Sequence, residues 1–303
     1  MKKFIKKTLV FILLITFFKI ILILAVLSNL PEIGYGFFLG ENNKKNKIVI
    51  VGSSNVRHNY DYDLLDSTFN NHSVIGVTLN EPSGLYALWY KLKRLNLTKN
   101  DIVVFSLPYS LYNKDRFLPI TSRSKFLSLN LIKSCFNEYK KETLMNLLNI
   151  KFSNILSALT TREYKNDYKY NQKETKFFGY TKNNDSLYKR CYTNKEDKFF
   201  INDSEGDLNR KTILKFNSLL NKKNSPKFFF RFPVLMENQF QLNTSKIFFL
   251  EENLNFINSY ETPVFKRNLF YDQWYHLNFC GAQQNSLNFI QEIKTYIPNK
   301  NNF

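Results

Sequence analysis

One serine and one histidine stand where they could work as a pair. Gly52-Ser53-Ser54-Asn55 follows directly on the apolar run Ile48-Val49-Ile50-Val51. Far along the chain comes Asp272-Gln273-Trp274-Tyr275-His276-Leu277-Asn278, with Gly281 after it. The chain has only three histidines, His58, His72 and His276, so an imidazole four residues after a carboxylate is scarce chemistry here. A serine hydroxyl alone is a poor nucleophile. It needs an imidazole to take its proton and a carboxylate to hold the imidazole in the right tautomer. Ser54, His276 and Asp272 are therefore candidate nucleophile, base and orienting carboxylate. The position three before His276 is Gln273, an amide, so the negative charge falls to Asp272. His58, four residues after Ser54, is a rival base if a helix begins at Ser54, because positions i and i+4 share a face. His72 falls in a turn over 70–73 and is expected to be solvated. Arg57 could meet an anionic group of a substrate or stand as a surface cation.

These residues need elements to carry them. Short apolar runs predict strands at 47–51, 74–79, 101–107 and 227–232, the last two stopped by Pro108 and Pro233. A short fifth strand is expected at 262–265. Leu85, Leu88, Trp89, Leu92 and Leu95 are spaced for a helix over 83–95, and a closing helix is expected over 282–296. This alternation predicts an α/β protein around a mostly parallel, doubly wound sheet. In such sheets the chemistry lies beyond the carboxyl ends of the strands. Ser54 follows the first strand and Asp272 and His276 follow the last, so both halves of the cluster are expected at one sheet edge.

The remainder divides by composition. Residues 9–27 are rich in Leu, Ile, Phe and Val and carry one charge, Lys19, a length that suits a bilayer core, with Lys2, Lys3, Lys6 and Lys7 before them. A mid-membrane lysine costs about 2.5–3.5 kcal/mol, while each Leu, Ile or Phe returns about 0.3–0.6. The apolar residues outweigh it. A cleaved signal peptide would have a shorter apolar region and a small-x-small site, which Ala25-Val26-Leu27 fits poorly. Residues 1–28 are expected to form one transmembrane anchor helix, separate from the core, with a cytoplasmic N-terminus and the rest exported. Residues 29–46, with Gly34, Gly36 and Gly40, read as a linker to an α/β domain over 47–303. Within it, residues 115–210 break the rhythm. They carry helical patterns at 126–136 and 142–159 and then a tract rich in Lys, Asn and Tyr. This stretch reads as an insertion beside the site, a lid or a glycan-facing surface.

The net charge is +18, from 43 basic and 25 acidic residues, and the lysines are scattered rather than gathered in a nucleic-acid motif. Such a surface attracts anionic glycans or lipid headgroups, or is simply solvated. Cys135, Cys191 and Cys280 allow at most one internal disulfide, and no Cys or His spacing suits a metal ligand set. No metal and no cofactor is expected.

Gly52-Ser53-Ser54-Asn55 resembles the first block of the SGNH (GDSL-type) hydrolases, where Gly-Asp-Ser or Gly-Ser-Ser carries the nucleophile. The segment from Asp272 to Asn278 resembles their last block, in which Asp and His sit together. It is not the G-x-S-x-G elbow of α/β-hydrolases, since Val56 stands where the second Gly would be. The likeness covers about 47–107 and 227–296. It is nearest to membrane-anchored members found with exported bacterial polysaccharides.

The resemblance implies a three-layer α/β/α fold, with Ser54 as nucleophile, His276 as general base and Asp272 as orienting carboxylate. It implies a serine esterase or O-acyltransferase, with acetyl as the expected group, acting on an acylated carbohydrate or polysaccharide. A membrane-bound acyl-donor protein would be a further partner. The alternative is a catalytically silent SGNH-fold protein that binds glycan or aids assembly. Two family features differ. The second block offers a glycine N–H to the oxyanion, and here Gly76 or Thr78 would serve. The third offers an Asn side chain, but here the strand runs Phe105-Ser106-Leu107-Pro108-Tyr109. Tyr109, Ser110 or Asn113 would have to substitute. Losing one such donor typically costs about 2.7–4 kcal/mol in the barrier.

Overall fold

The computed structural model describes residues 1–28, 38–39, 44–78, 84–93, 95–107, 129–141, 143, 145, 191, 210–220, 226–231, 234–236, 255–257, 263–270 and 276–297. The central strand is β2 (Asn46–Gly52). Its run Ile48-Val49-Ile50-Val51 is apolar at every position because both faces of the sheet are covered. Ile48 and Ile50 point into one core, with Val56, Leu65, Phe289 and Ile293. Val49 and Val51 point into the other, with Leu85, Leu88, Leu131, Phe216 and Leu220. That is the residue pattern a buried parallel strand requires.

β2 lies between β3 (His72–Thr78) and β4 (Ile102–Phe105), parallel to both, and β5 (Lys227–Phe230) pairs parallel with β4. The result is a four-stranded parallel sheet. The two-residue β1 (Phe38–Leu39) adds antiparallel to the outer edge of β3, Phe38 opposite Val77. The chain leaves β2 through α2 (Ser54–His58) and α3 (Tyr62–Thr68) to reach β3 on one side. It then returns through α4 (Gly84–Lys93) to β4 on the other side of β2. The direction of winding therefore reverses between β2 and β4, the point of such sheets where a crevice opens beyond the carboxyl ends. The α2 and α3 side is completed by α7 (Phe279–Lys294), the α4 side by α5 (Leu129–Glu138) and α6 (Arg210–Leu220).

Several expectations need correction. Part of the expected linker, Phe38–Leu39, is strand, because the edge of β3 offers unpaired backbone groups to it. The strand expected at 262–265 is β7 (Val264–Phe265), which joins not the main sheet but β6 (Leu235–Met236). The main sheet's next place is taken by residues 255–257, where Phe230 N–H donates to Asn255 O and Ile257 N–H to Phe230 O. His72 is buried rather than solvated: β3 starts there, and the residue packs inside. Burial, opposed by nearby Asp101 and assisted by Lys44, lowers its imidazole pKa below the usual value of 6.5. The helical pattern at 142–159 lies almost wholly outside the described residues.

Residues 2–28 form one continuous helix, α1 (Lys2–Ser28). It is not wholly separate from the domain: Ile23 is buried in the α4/α5 core and Leu22 packs against it, while residues from Phe4 to Phe18 expose large apolar side chains. No helix among the described residues is long and apolar enough to cross a membrane.

Candidate active site

Ser54 opens α2 two residues beyond the end of β2, with Ser53 between. The strand ends in glycine because the ends of β2 and β4 touch there. A Cβ on Gly52 would collide with Val56 Cγ2 and lie 2.6 Å from Ser106 O. Asn55, fully buried, then locks the turn. Its Nδ2 donates to Ser106 O at 2.7 Å, and its Oδ1 accepts from the backbone N–H and the hydroxyl of Ser53, each at 3.0 Å. The two adjacent serines thereby part company: Ser53 is buried and bonded inward, and Ser54 is left partly exposed beyond the carboxyl end of β2.

His276 arrives from 222 residues away, and its Nε2 stands 2.8 Å from Ser54 Oγ. Its backbone is held by the residues that follow. Leu277 bridges Phe270 and donates its N–H to Asn59 Oδ1 at 2.8 Å. Asn278 N–H donates to Leu269 O at 2.8 Å. The Asn278 side chain caps α7, its Oδ1 accepting from Gly281 N–H at 3.1 Å. Its Nδ2 donates to Asn268 O at 2.8 Å and to Cys191 O at 3.3 Å. A Cys191–Cys280 disulfide ties the second residue of α7 to position 191. Cys135 is free but buried, and burial, with Glu138 nearby, pushes its thiol up to about 12, so it is no rival nucleophile.

The His58 ring lies against that of His276, centroids 4.2 Å apart and tilted by 31°. Ser54, His276 and His58 thus share one place. Thr78, buried, ends β3 directly opposite Gly52 and so lies at the same edge of the sheet. Gly76 does not reach that edge. It sits within β3, opposite Ile50, and its missing side chain makes room for the Tyr62 ring, whose Oη would collide with a Cβ there. Arg57 lies on α2. Asp272, Tyr109, Ser110 and Asn113 lie outside the described residues.

Three supporting residues escaped the sequence reading. Asn278 had a signal, an N-cap residue just before a periodic apolar stretch. Asn59 and Arg231 had none, because their partners are distant in sequence. Arg231 follows β5 and is buried, with Nε and Nη2 on Glu292 and Nη1 on Tyr60 and Asn285. Burial works against its charge, but Tyr60 and Glu292 outweigh that and hold its pKa above the ordinary arginine value.

Chemically, a neutral His276 with its proton on Nδ1 leaves Nε2 free to accept from the Ser54 hydroxyl. No group of three or more His, Cys, Asp or Glu that could hold a metal ion occurs among the described residues. No family model matches the chain, and no curated protein does. A crystal structure described as that of a "Putative Hydrolase" from Rickettsia typhi aligns over 86% of this chain and 90% of that one, at 15% identity and a TM-score of 0.28. A likeness that slight carries no argument.

Proposed function

We propose that the chain is a serine esterase or O-acyltransferase of the SGNH type. The observation that carries this is the 2.8 Å contact between Ser54 Oγ and His276 Nε2 at the winding reversal of the sheet. On attack, the Ser54 oxygen bonds to the ester carbonyl carbon and its proton passes to Nε2. Collapse of the tetrahedral intermediate expels the alcohol, which takes that proton from His276. Water or a sugar hydroxyl then accepts the acyl group from Ser54, with His276 again as base. Asp272 is proposed as the carboxylate that holds Nδ1–H, and Thr78 as a candidate for stabilising the oxyanion. Acetylated carbohydrate of the cell surface is the proposed substrate, with a membrane-bound acyl-donor protein as the partner if the reaction is transfer.

Export and membrane attachment belong to the same proposal. The disulfide suits an oxidising compartment. Two facts about α1 pull apart: no helix among the described residues is long and apolar enough to cross a membrane, yet the nineteen positions from Leu9 to Leu27 hold one charge, Lys19. At 1.5 Å per residue such a run extends about 28 Å, near the hydrocarbon thickness of about 30 Å. The exposed side chains support the membrane reading. Phe11, Leu13, Leu14, Phe17 and Phe18 are each at least 60% exposed, and each large apolar side chain gains about 1.5–3 kcal/mol on leaving water. Resistance to alkaline carbonate extraction, lost when residues 1–28 are removed, tests the attachment.

The activity is tested by acetate release from an acetylated polysaccharide and from a small acetyl ester. Turnover should fall about 10⁴-fold or more in Ser54→Ala and His276→Ala, and by a similar factor in Asp272→Asn, which leaves the imidazole in the wrong tautomer. Undiminished turnover in Ser54→Ala would sink the reading. No turnover on any ester, with glycan binding intact in Ser54→Ala, would favour a silent glycan-binding protein.

A further inference from the structure

We infer that Asn59 is a positioning residue that sets the distance between Ser54 and His276, braced from behind by Arg231 through Asn285. The inference rests on the proposed roles of Ser54 and His276. Asn59 closes α2: its N–H donates to Asn55 O at 2.8 Å, so it is rigidly coupled to the helix that Ser54 opens. Its side-chain oxygen accepts the N–H of Leu277, the residue directly after His276, at 2.8 Å. One buried amide therefore joins the nucleophile's helix to the base's backbone, across a sequence gap of 218 residues.

The direction of every bond behind this joint is forced. An arginine only donates. Asn285 must therefore present its oxygen to Arg231 Nη1, at 3.0 Å, and its NH2 to Asn59 O, at 2.7 Å. A backbone N–H likewise only donates, so Asn59 must present its oxygen to Leu277. Arg231 is itself fixed by a two-pronged grip on Glu292, at 2.6 and 3.2 Å, and by Tyr60 Oη at 3.1 Å. A second stitch, Asp61 N–H to Ser286 Oγ at 2.8 Å, keeps the same segment against α7. Asn59, Asn285, Arg231 and Tyr60 are all buried, so water does not compete for these bonds. Loosening the joint lets the Ser54–His276 contact drift, and a misplacement of about 1 Å costs on the order of 10²-fold in rate.

The test uses the full chain in detergent and a fluorophosphonate probe, with the inactivation rate constant and the probe's binding constant measured separately. In Asn59→Ala the rate constant should fall about 10- to 100-fold, while probe binding stays near wild type. Asn59→Asp keeps an acceptor oxygen for Leu277 and should recover most of the loss. An unchanged rate constant in Asn59→Ala, or no recovery in Asn59→Asp, overturns the inference. If Asn59→Ala does not fold, Arg231→Lys, which keeps the charge but loses the fork, should still slow labelling, and a wild-type rate there overturns the brace. Amide hydrogen exchange at Leu277 separates this inference from the reading beneath it. If wild type takes no label, the nucleophile assignment fails. The joint then stands or falls on whether Leu277 exchanges faster in Asn59→Ala while the rest of α7 does not.

Discussion

Ser54 is placed mainly by one short stretch, Gly52 to Asn59, through a tight strand-to-helix turn and one asparagine side chain anchored on Ser106 O at the end of β4. His276 is placed by contacts gathered from the nearby Asn268, Leu269 and Phe270 and from Asn59 and Cys191, both distant in sequence. The first half of the site is local architecture and should survive or fail with the sheet itself. The second half is an assembly of separate ties, so it should loosen by degrees while the sheet stays folded.

Mutations on each side sharpen this contrast. Gly52→Val forces a branched side chain into the closed approach of β2 and β4 and should cost at least about 4 kcal/mol, abolishing a cooperative chemical denaturation curve. Removing the tie at the histidine side with Cys191→Ser should cost about 2–4 kcal/mol yet leave a cooperative transition and the far-ultraviolet circular dichroism of the sheet. A loss of folding as complete as that of Gly52→Val would erase the distinction. Asn278→Ala removes the α7 cap and should cost about 1 kcal/mol, with a larger relative effect on ester turnover than on melting temperature. A turnover unchanged in that variant would show that the cap supports only the helix.

The smallest effect belongs to His72, at the opposite, amino-terminal edge of the sheet. Its folded pKa is lowered by burial, so the folded state resists the proton that the unfolded chain accepts near pH 6.5. Its contribution is complete above that pH and is lost as pH falls through the lowered folded value. His72→Gln should therefore flatten the decline in melting temperature between pH 7 and pH 5 without altering phosphonate labelling. An equal slope in wild type and variant would assign the decline to other groups.

The same contrast explains what could be read from the sequence. The buried strands at 46–52, 72–78, 102–105 and 227–230 showed as apolar runs, because a parallel strand covered on both faces needs an apolar residue at nearly every position. The run pointed to the pair Ser53-Ser54, and the family resemblance chose Ser54 as the candidate. The five-residue α2 and the seven-residue α3 are too short to display a period, and β1 and β6 too short to display an alternation. Asn59, Asn285 and Arg231 looked like any polar residues, since nothing local marks a side chain whose partner is tens to hundreds of positions away. His72 misled because its turn-like neighbours Asn70 and Asn71 hide the fact that β3 has already begun.

The central claim is that Ser54, and not its neighbour Ser53, is a nucleophile activated by His276. Digestion and mass spectrometry of the chain after reaction with a fluorophosphonate reads this directly. The account predicts a phosphonyl group on Ser54 alone in wild type, and none in His276→Ala over the same time. A label on Ser53, or labelling of Ser54 at the wild-type rate without His276, would contradict it.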